Sequence, residues 1–181
     1  MRILVACEFS GVVRDAMIER GHDAVSCDLL PTESPGPHIQ EDVLLFLDDG
    51  WDMMICHPPC THLAVSGARW WAEKRDEQEE ALDFVRRLLD APIEKIALEN
   101  PVGCISTRIR PATQYVQPWQ FGHGEVKKTG FWLKNLPALV PTDVVDGREA
   151  RVHREPPSPD RWKRRSVTYA GIAKAMAEQW A

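Results

Sequence analysis

A chain of 181 residues, 44% hydrophobic and 27% charged, has room for a sizeable core and the balance of an ordinary water-soluble globular protein. Its net charge of −5 excludes a polybasic chain that coats nucleic acid by charge alone, and no apolar run approaches the roughly 18 residues of a membrane span. Five scattered cysteines and an N-terminus too weakly apolar for a secretory signal point away from a disulfide framework and toward a reducing cytoplasm.

Residues 2–6 (RILVA) read as a strand, and Cys7-Glu8-Phe9-Ser10-Gly11 follow as a turn. Residues 12–20 read as a helix, with Val13, Ala16 and Met17 at helical spacing and Gly21 as its stop. Residues 24–26 form a second strand with Asp28 just past its end. Strand, glycine turn, helix, strand and acid is the layout of a nucleotide-binding βαβ unit, in which the carboxylate accepts hydrogen bonds from ribose. The single glycine makes this weaker than a GxGxxG pattern. After the stiff loop PTESPGP, His38-Ile39-Gln40 can be a third strand. Asp42 then caps a short helix over 43–47 or serves the cofactor.

The chain is organised around WDMMICHPPCTH, residues 51–62. Met53-Met54-Ile55 is a buried strand halted by Pro58 and Pro59, which have no N–H to give a sheet. Cys60 follows at the carboxyl end of that strand, where open α/β sheets bind ligands. A long helix is expected over 70–89, with Ala81, Phe84, Val85, Leu88 and Leu89 on its apolar face and an Asp83–Arg87 pair. Trp70 and Trp71 either stack on a base or pack beside the helix start. A fifth strand over 95–98 delivers Glu99-Asn100-Pro101.

Two later strands are expected over 116–121 and 130–133, flanking a loop that contains Glu125 and Lys127. Residues 134–165 are rich in proline and charge without periodicity. Seven basic residues lie between 148 and 165, including Arg164 and Arg165, and form either a face toward phosphate or a solvated loop. A helix over 168–180 closes the chain. Strands alternating with helices predict one α/β domain over 1–181 with a mainly parallel sheet.

Pro59-Cys60 after one strand and Glu99-Asn100 after the next resemble the catalytic pair of the cytosine-C5 DNA methyltransferases, which carry a Pro-Cys loop and a Glu-Asn-Val motif. Phe9-Ser10-Gly11 resembles the Phe-x-Gly cofactor loop of that family. Asp28 falls at its ribose-binding acid and Asp42 at its adenine-reading residue. Phe121-Gly122 through Leu133 resembles its Tyr-Gly-Val-Pro-Gln…Arg-x-Arg region, and the last helix its closing cofactor-side helix. The whole chain is similar to short phage and prophage proteins of this kind.

The resemblance implies a Rossmann-like, S-adenosylmethionine-dependent methyltransferase fold, in a bacterial host cytoplasm if phage-encoded. It implies Cys60 as nucleophile with Glu99 and Asn100 beside it. Phe9, Ser10, Gly11, Asp28, Asp42 and Pro58 would hold the cofactor, and Pro59, Lys127, Arg164 and Arg165 the DNA. There are departures. Pro101 replaces the valine of Glu-Asn-Val, Thr61 the glutamine after the cysteine, and Glu125 a later glutamine. Lys127 fits the first arginine position, whereas Thr129 does not fit the second. Only residues 134–165 stand where the family inserts a large target-recognition domain, which leaves DNA or a free cytosine deoxynucleotide as substrate.

The chemistry suits these residue types. Cytosine C5 is a poor nucleophile until something adds at C6, and a thiolate does so by forming a covalent intermediate. A free thiol has a pKa of about 8.5, so activation of Cys60 by its surroundings is expected. Glu99 would hydrogen-bond or protonate ring N3 as charge develops. Other readings are a buried structural thiol, a zinc cluster of Cys56, His57, Cys60 and His62, a non-catalytic cofactor-binding module, and a variant of the amino-methyltransferase Asp-Pro-Pro-Tyr loop. The last would leave Glu99-Asn100 unexplained.

Overall fold

Short apolar runs punctuated by glycine and proline build seven strands of one sheet in the computed structural model, which describes residues 1–181. These are β1 (Arg2–Ala6), β2 (Asp23–Asp28), β3 (His38–Gln40), β4 (Met53–Cys56), β5 (Lys95–Pro101), β6 (Gln114–Val116) and β7 (Thr129–Lys134). The helices are α1 (Val12–Glu19), α2 (Arg75–Leu89), α3 (Ile105–Arg108), α4 (Arg151–Arg154), α5 (Arg161–Ser166) and α6 (Ala170–Trp180).

The strand order is β3-β2-β1-β4-β5-β7-β6. The first five strands pair in parallel, and β7 runs antiparallel between β5 and β6. Both faces are covered. Ile3, Val5, Met53 and Ile55 pack under α1 and α6, while Leu4, Ala6, Met54 and Cys56 pack under α2. A strand buried on both faces is apolar at every position, which is why MMIC shows no alternation.

Several boundaries differ from expectation. The helix predicted over 70–89 begins at Arg75, where Asp76 and Glu77 favour a helix N-terminus, and residues Val65–Trp70 form a 3-10 turn. Its buried stripe centres on Leu82, Val85 and Leu88, and Asp83 pairs with Arg86 rather than Arg87. The strand predicted over 116–121 ends at Val116, because Pro118 starts another 3-10 turn. The segment 134–165 contains α4 and α5, each too short to show a helical period.

A buried arginine fixes the loop beside the cofactor-side strands. Arg14, fully buried on α1, donates to Ser26 Oγ (3.1 Å), Thr32 Oγ1 (3.2 Å) and the carbonyls of Ser34 (3.1 Å) and Pro35 (3.3 Å). The PTESPGP loop therefore hangs on one guanidinium. Gly11 makes room for it: a Cβ there would lie 2.5 Å from an Arg14 nitrogen, and its φ of 78° is itself unfavourable for other residues.

Candidate active site

His57 is the last residue of its segment tied to the sheet, its N–H donating to the Ala6 carbonyl at 3.0 Å. Pro58 and Pro59 then offer no donors, and the chain turns so that the Cys60 carbonyl accepts from Leu63 N (3.0 Å) and Ala64 N (2.9 Å). This loop is stitched to the segment leaving β5. Val65 N donates to Val102 O at 3.0 Å, and Cys104 N to Leu63 O at 2.9 Å. Gly103 permits the approach, since a Cβ there would stand 2.0 Å from the Leu63 carbonyl oxygen. Asn100, buried on β5, donates from Nδ2 to the Pro58 carbonyl at 2.8 Å, so it braces the Pro-Pro turn.

Glu99 lies on the same strand end with its carboxylate Oε2 3.1 Å from His57 Nδ1. Burial pushes its carboxyl up. The His57 hydrogen bond, the Lys127 charge and the Thr129 hydroxyl outweigh burial and hold it below the ordinary glutamate range. Cys60 is exposed, yet its thiol is pushed up by the protein crowding the sulfur and by Glu99; Lys127 and Arg165 only partly oppose this. The expected activation of the thiol is therefore not supplied by the resting site, because the nearby carboxylate and desolvation win over two cations.

The structure brings Lys127 and Arg165 to this pair and leaves Arg164 out. Lys127 Nζ donates to the Arg165 carbonyl at 2.9 Å, and both charges act on Cys60. Arg165 Nε is buried with no partner. Arg164 instead grips Glu155 and Ser158 Oγ within its own segment. Glu125 has partners other than those of Glu99. It accepts from Arg151 Nε (2.9 Å) and Tyr169 Oη (2.7 Å), a structural tie between the loop before β7, α4 and the start of α6.

Pro58 lies just past the end of β4, and Phe9, Ser10, Gly11, Asp28 and Asp42 lie at the carboxyl ends of β1, β2 and β3. Cys7 turns the chain there with φ 57°, rare for a non-glycine residue. Burial and then the carboxylates of Asp28 and Asp42 push the Cys7 thiol up, which places both acids beside that turn. Asp28 Oδ1 accepts from Leu30 N at 2.9 Å, leaving further lone pairs of a half-buried carboxylate for a diol. An acceptor-only group at the end of β2 fits the ribose of S-adenosylmethionine. Asp42 Oδ1 caps the 3-10 turn Val43–Leu45 through Leu44 N at 3.0 Å, so the capping role anticipated for it is occupied. Phe9 is buried, with Trp162 of α5 edge-on at 6.1 Å and Lys163 over its ring at 5.3 Å. Ser10 Oγ bonds Glu8 rather than facing outward, at 3.3 Å.

Two residues with clear roles, Glu8 and Arg14, carry no role in the sequence reading, and a third, His57, enters it as a zinc candidate. Buried Glu8 caps α1, accepting from Val13 N (2.6 Å) and Arg14 N (3.2 Å). Arg14 has no sequence signal beyond its place in an apolar helix. His57 had one: a polar residue directly after a buried strand and before Pro-Pro. The zinc reading meets a geometric obstacle, since Cys56 is buried with Sγ toward the Ala97 carbonyl (3.7 Å) and no three His, Cys, Asp or Glu side chains converge. Of the two tryptophans, Trp70 is exposed beneath Arg69, whereas Trp71 packs against the core.

No protein-family profile matches the chain, and no curated protein matches it in sequence. Among solved structures it is similar to a protein described as a DNA modification methyltransferase encoded within an E. coli prophage. The TM-score is 0.52 at 14% identity, over 87% of this chain and 55% of that one. Spodoptera frugiperda DNMT2, in a mutant form, gives 0.45 at 15% identity over 82% of this chain and 54% of its own. The 16S rRNA methylase RmtB gives 0.42 at 12% over 73% and 54%. The chain thus spans about half the length of these proteins. No helix is long and apolar enough to cross a membrane. The strand order, the antiparallel β7 and the similarity to the prophage protein give this chain the Rossmann-like fold of the S-adenosylmethionine-dependent methyltransferases.

Proposed function

We propose that the protein is a methyltransferase acting on C5 of cytosine in DNA, with Cys60 as nucleophile and Glu99 at ring N3. The observation that carries this reading is that the Cys60 loop is bridged to the segment leaving β5, which fixes a thiol beside a carboxylate on adjacent strand ends. The Cys60 thiol gives its proton to solvent and Sγ bonds to C6, raising electron density at C5. Glu99 relieves the charge at N3, and Asn100 keeps the Pro-Pro turn in place. S-adenosylmethionine, when bound, supplies an electrophilic methyl group for C5. The C5 proton then departs to a base, the C6–S bond breaks, and the thiolate is restored. In duplex DNA the base must leave the stack to reach Cys60. Lys127 and Arg165 beside the thiol suit the flanking phosphates, and Asp28 with Asp42 suits the adenosine half of the cofactor.

A second reading, methylation of a free cytosine deoxynucleotide, is favoured by the segment 134–165. Its helices of four and six residues give no element that can lie in a groove and read base edges. On DNA the same feature implies a short or loose sequence context. The test offers labelled cofactor, duplex DNA and deoxycytidine mono- and triphosphate across a salt series. DNA labelling should fall steeply with salt as phosphate contacts release counterions. Cys60→Ser should abolish turnover while retaining cofactor affinity, and DNA containing 5-fluorocytosine should trap the wild-type protein covalently. Labelling of nucleotide alone at low salt would overturn the DNA reading, and near wild-type transfer by Cys60→Ser would overturn the covalent one.

A further inference from the structure

The resting site poses a problem for its own chemistry. Glu99 is held as a carboxylate, yet addition of sulfur at C6 calls for a proton at N3. Its largest carboxylate-favouring contact is His57, whose imidazole is 8% exposed, with Nδ1 3.1 Å from Oε2 and Nε2 buried without a partner. Structural histidines in cores use both nitrogens, since an unpartnered buried polar atom is costly. This one uses a single nitrogen, and spends it on the carboxylate that the chemistry needs.

We propose that His57 is the positioning residue that holds and supplies the proton Glu99 delivers to cytosine N3, an inference that rests on the C5 reading above. The pair shares one proton between Nδ1 and Oε2. When the base enters, the proton passes to Glu99, the carboxyl turns its O–H toward N3, and His57 is left neutral. As the C6–S bond breaks after methyl transfer, N3 returns the proton to Glu99 and thence to His57. No proton is created or lost in this exchange, and no further reactant is needed. The strand register sets the two side by side: Cys56 of β4 pairs with Leu98 of β5, and His57 and Glu99 are the next residue on each strand. The other groups facing the pair are Lys127 from the loop before β7, Thr129 at the start of β7, Cys60 and, at the rim, Arg165. Among them His57 alone is an imidazole, the side chain suited to giving and taking back a proton, and its Nδ1 already lies within hydrogen-bond distance of the carboxylate.

His57→Gln separates holding a proton from orienting a carboxylate, because the amide can still donate a hydrogen bond to Glu99 but carries no transferable proton. Its kcat should fall by about 10²-fold, the scale of one acid–base group, with KM and melting temperature little changed. Wild-type kcat should show a bell-shaped pH profile whose alkaline limb disappears in His57→Gln. With Glu99→Gln already present, His57→Gln should cost nothing more. Unaltered kcat and an unaltered profile in His57→Gln would overturn the proposal, as would full additivity of the two losses. Alkylation of Cys60 by iodoacetamide in the resting protein tests the pair without any turnover. Losing the proton that offsets Glu99 should slow alkylation near neutral pH by about tenfold, one unit of thiol pKa. An unchanged rate refutes the shared proton whatever the enzyme methylates. A slowed rate in a wild type that transfers no methyl to cytosine upholds the pair and removes the C5 reading instead.

Discussion

Lys127 Nζ donates to the backbone carbonyl of Arg165 at 2.9 Å, joining the loop before β7 to the last turn of α5. The same ammonium lies 5.9 Å from the Tyr169 ring and acts electrostatically on Glu99 and Cys60. One side chain thus both latches α5 and sets the charge of the site. Lys127→Met keeps the aliphatic stem and removes the charge. It should let trypsin cleave faster after the basic residues of α5 and should weaken substrate binding by about tenfold, the scale of one charged hydrogen bond. Unaltered proteolysis would show that α5 is held by its other contacts, Trp162 on Phe9 and Lys163 on Glu33.

Arg14→Met tests the guanidinium that carries the PTESPGP loop. Removing it leaves the part-buried Pro35 carbonyl without this donor and takes one partner each from the Ser34 carbonyl and the hydroxyls of Ser26 and Thr32. Losing several hydrogen bonds to one charged group costs about 3 kcal/mol, equivalent to a fall in Tm of roughly 10 °C for a chain this size. Calorimetry should show it, and a loss below about 1 kcal/mol would mean that waters replace the guanidinium.

Glu99 makes stability depend on acid. Burial alone would raise its carboxyl, but His57, Lys127 and Thr129 hold it below the ordinary glutamate value. A carboxylate depressed in the folded state contributes stability that is complete above the unfolded value of about 4.3 and is lost as pH falls through the lower folded value. Acid unfolding followed by circular dichroism should therefore be steeper in wild type than in Glu99→Gln over that window. Above about pH 5 the difference between the two should be constant.

Asp28→Ala and Asp42→Ala should both weaken S-adenosylmethionine binding in titration calorimetry. They should differ in the absence of cofactor. Asp42 also caps a 3-10 turn, and losing a cap costs about 1 kcal/mol. Asp28→Ala should leave Tm nearly unchanged, since its one local bond goes to an N–H in a surface turn. Unchanged cofactor affinity in both variants would move the pocket elsewhere.

The strands β1, β2, β4 and β5 were legible because each carries a short run of buried, mostly apolar residues that stops at a turn, a proline pair or an acid, and Cys60, Glu99 and Asn100 stand where two of those runs end. What escaped was set by partners distant in sequence. Leu82 is fully buried with Ala81, Phe84 and Leu89 packed at its sides, and α2 starts five residues later than expected because a 3-10 turn with no period of its own precedes it. Arg164 and Arg165 are adjacent and chemically identical, yet one pairs with Glu155 while the other joins Lys127; only the short helix α5 separates them. In the sequence His57 is a candidate zinc ligand, and its carboxylate partner comes into view only when β5 sets Glu99 beside it.

The crossing of residues 63–65 with residues 102–104 has a dynamic consequence. Surface loops ordinarily exchange their amide hydrogens within moments, because they open without disturbing the core. Here Val65 N–H and Cys104 N–H are each bound to the opposite segment, and Gly103 sits too close to Leu63 for either to swing free alone. These amides should exchange as slowly as those of β4 and β5, so that deuterium enters the Cys60 loop only when the centre of the sheet itself comes apart.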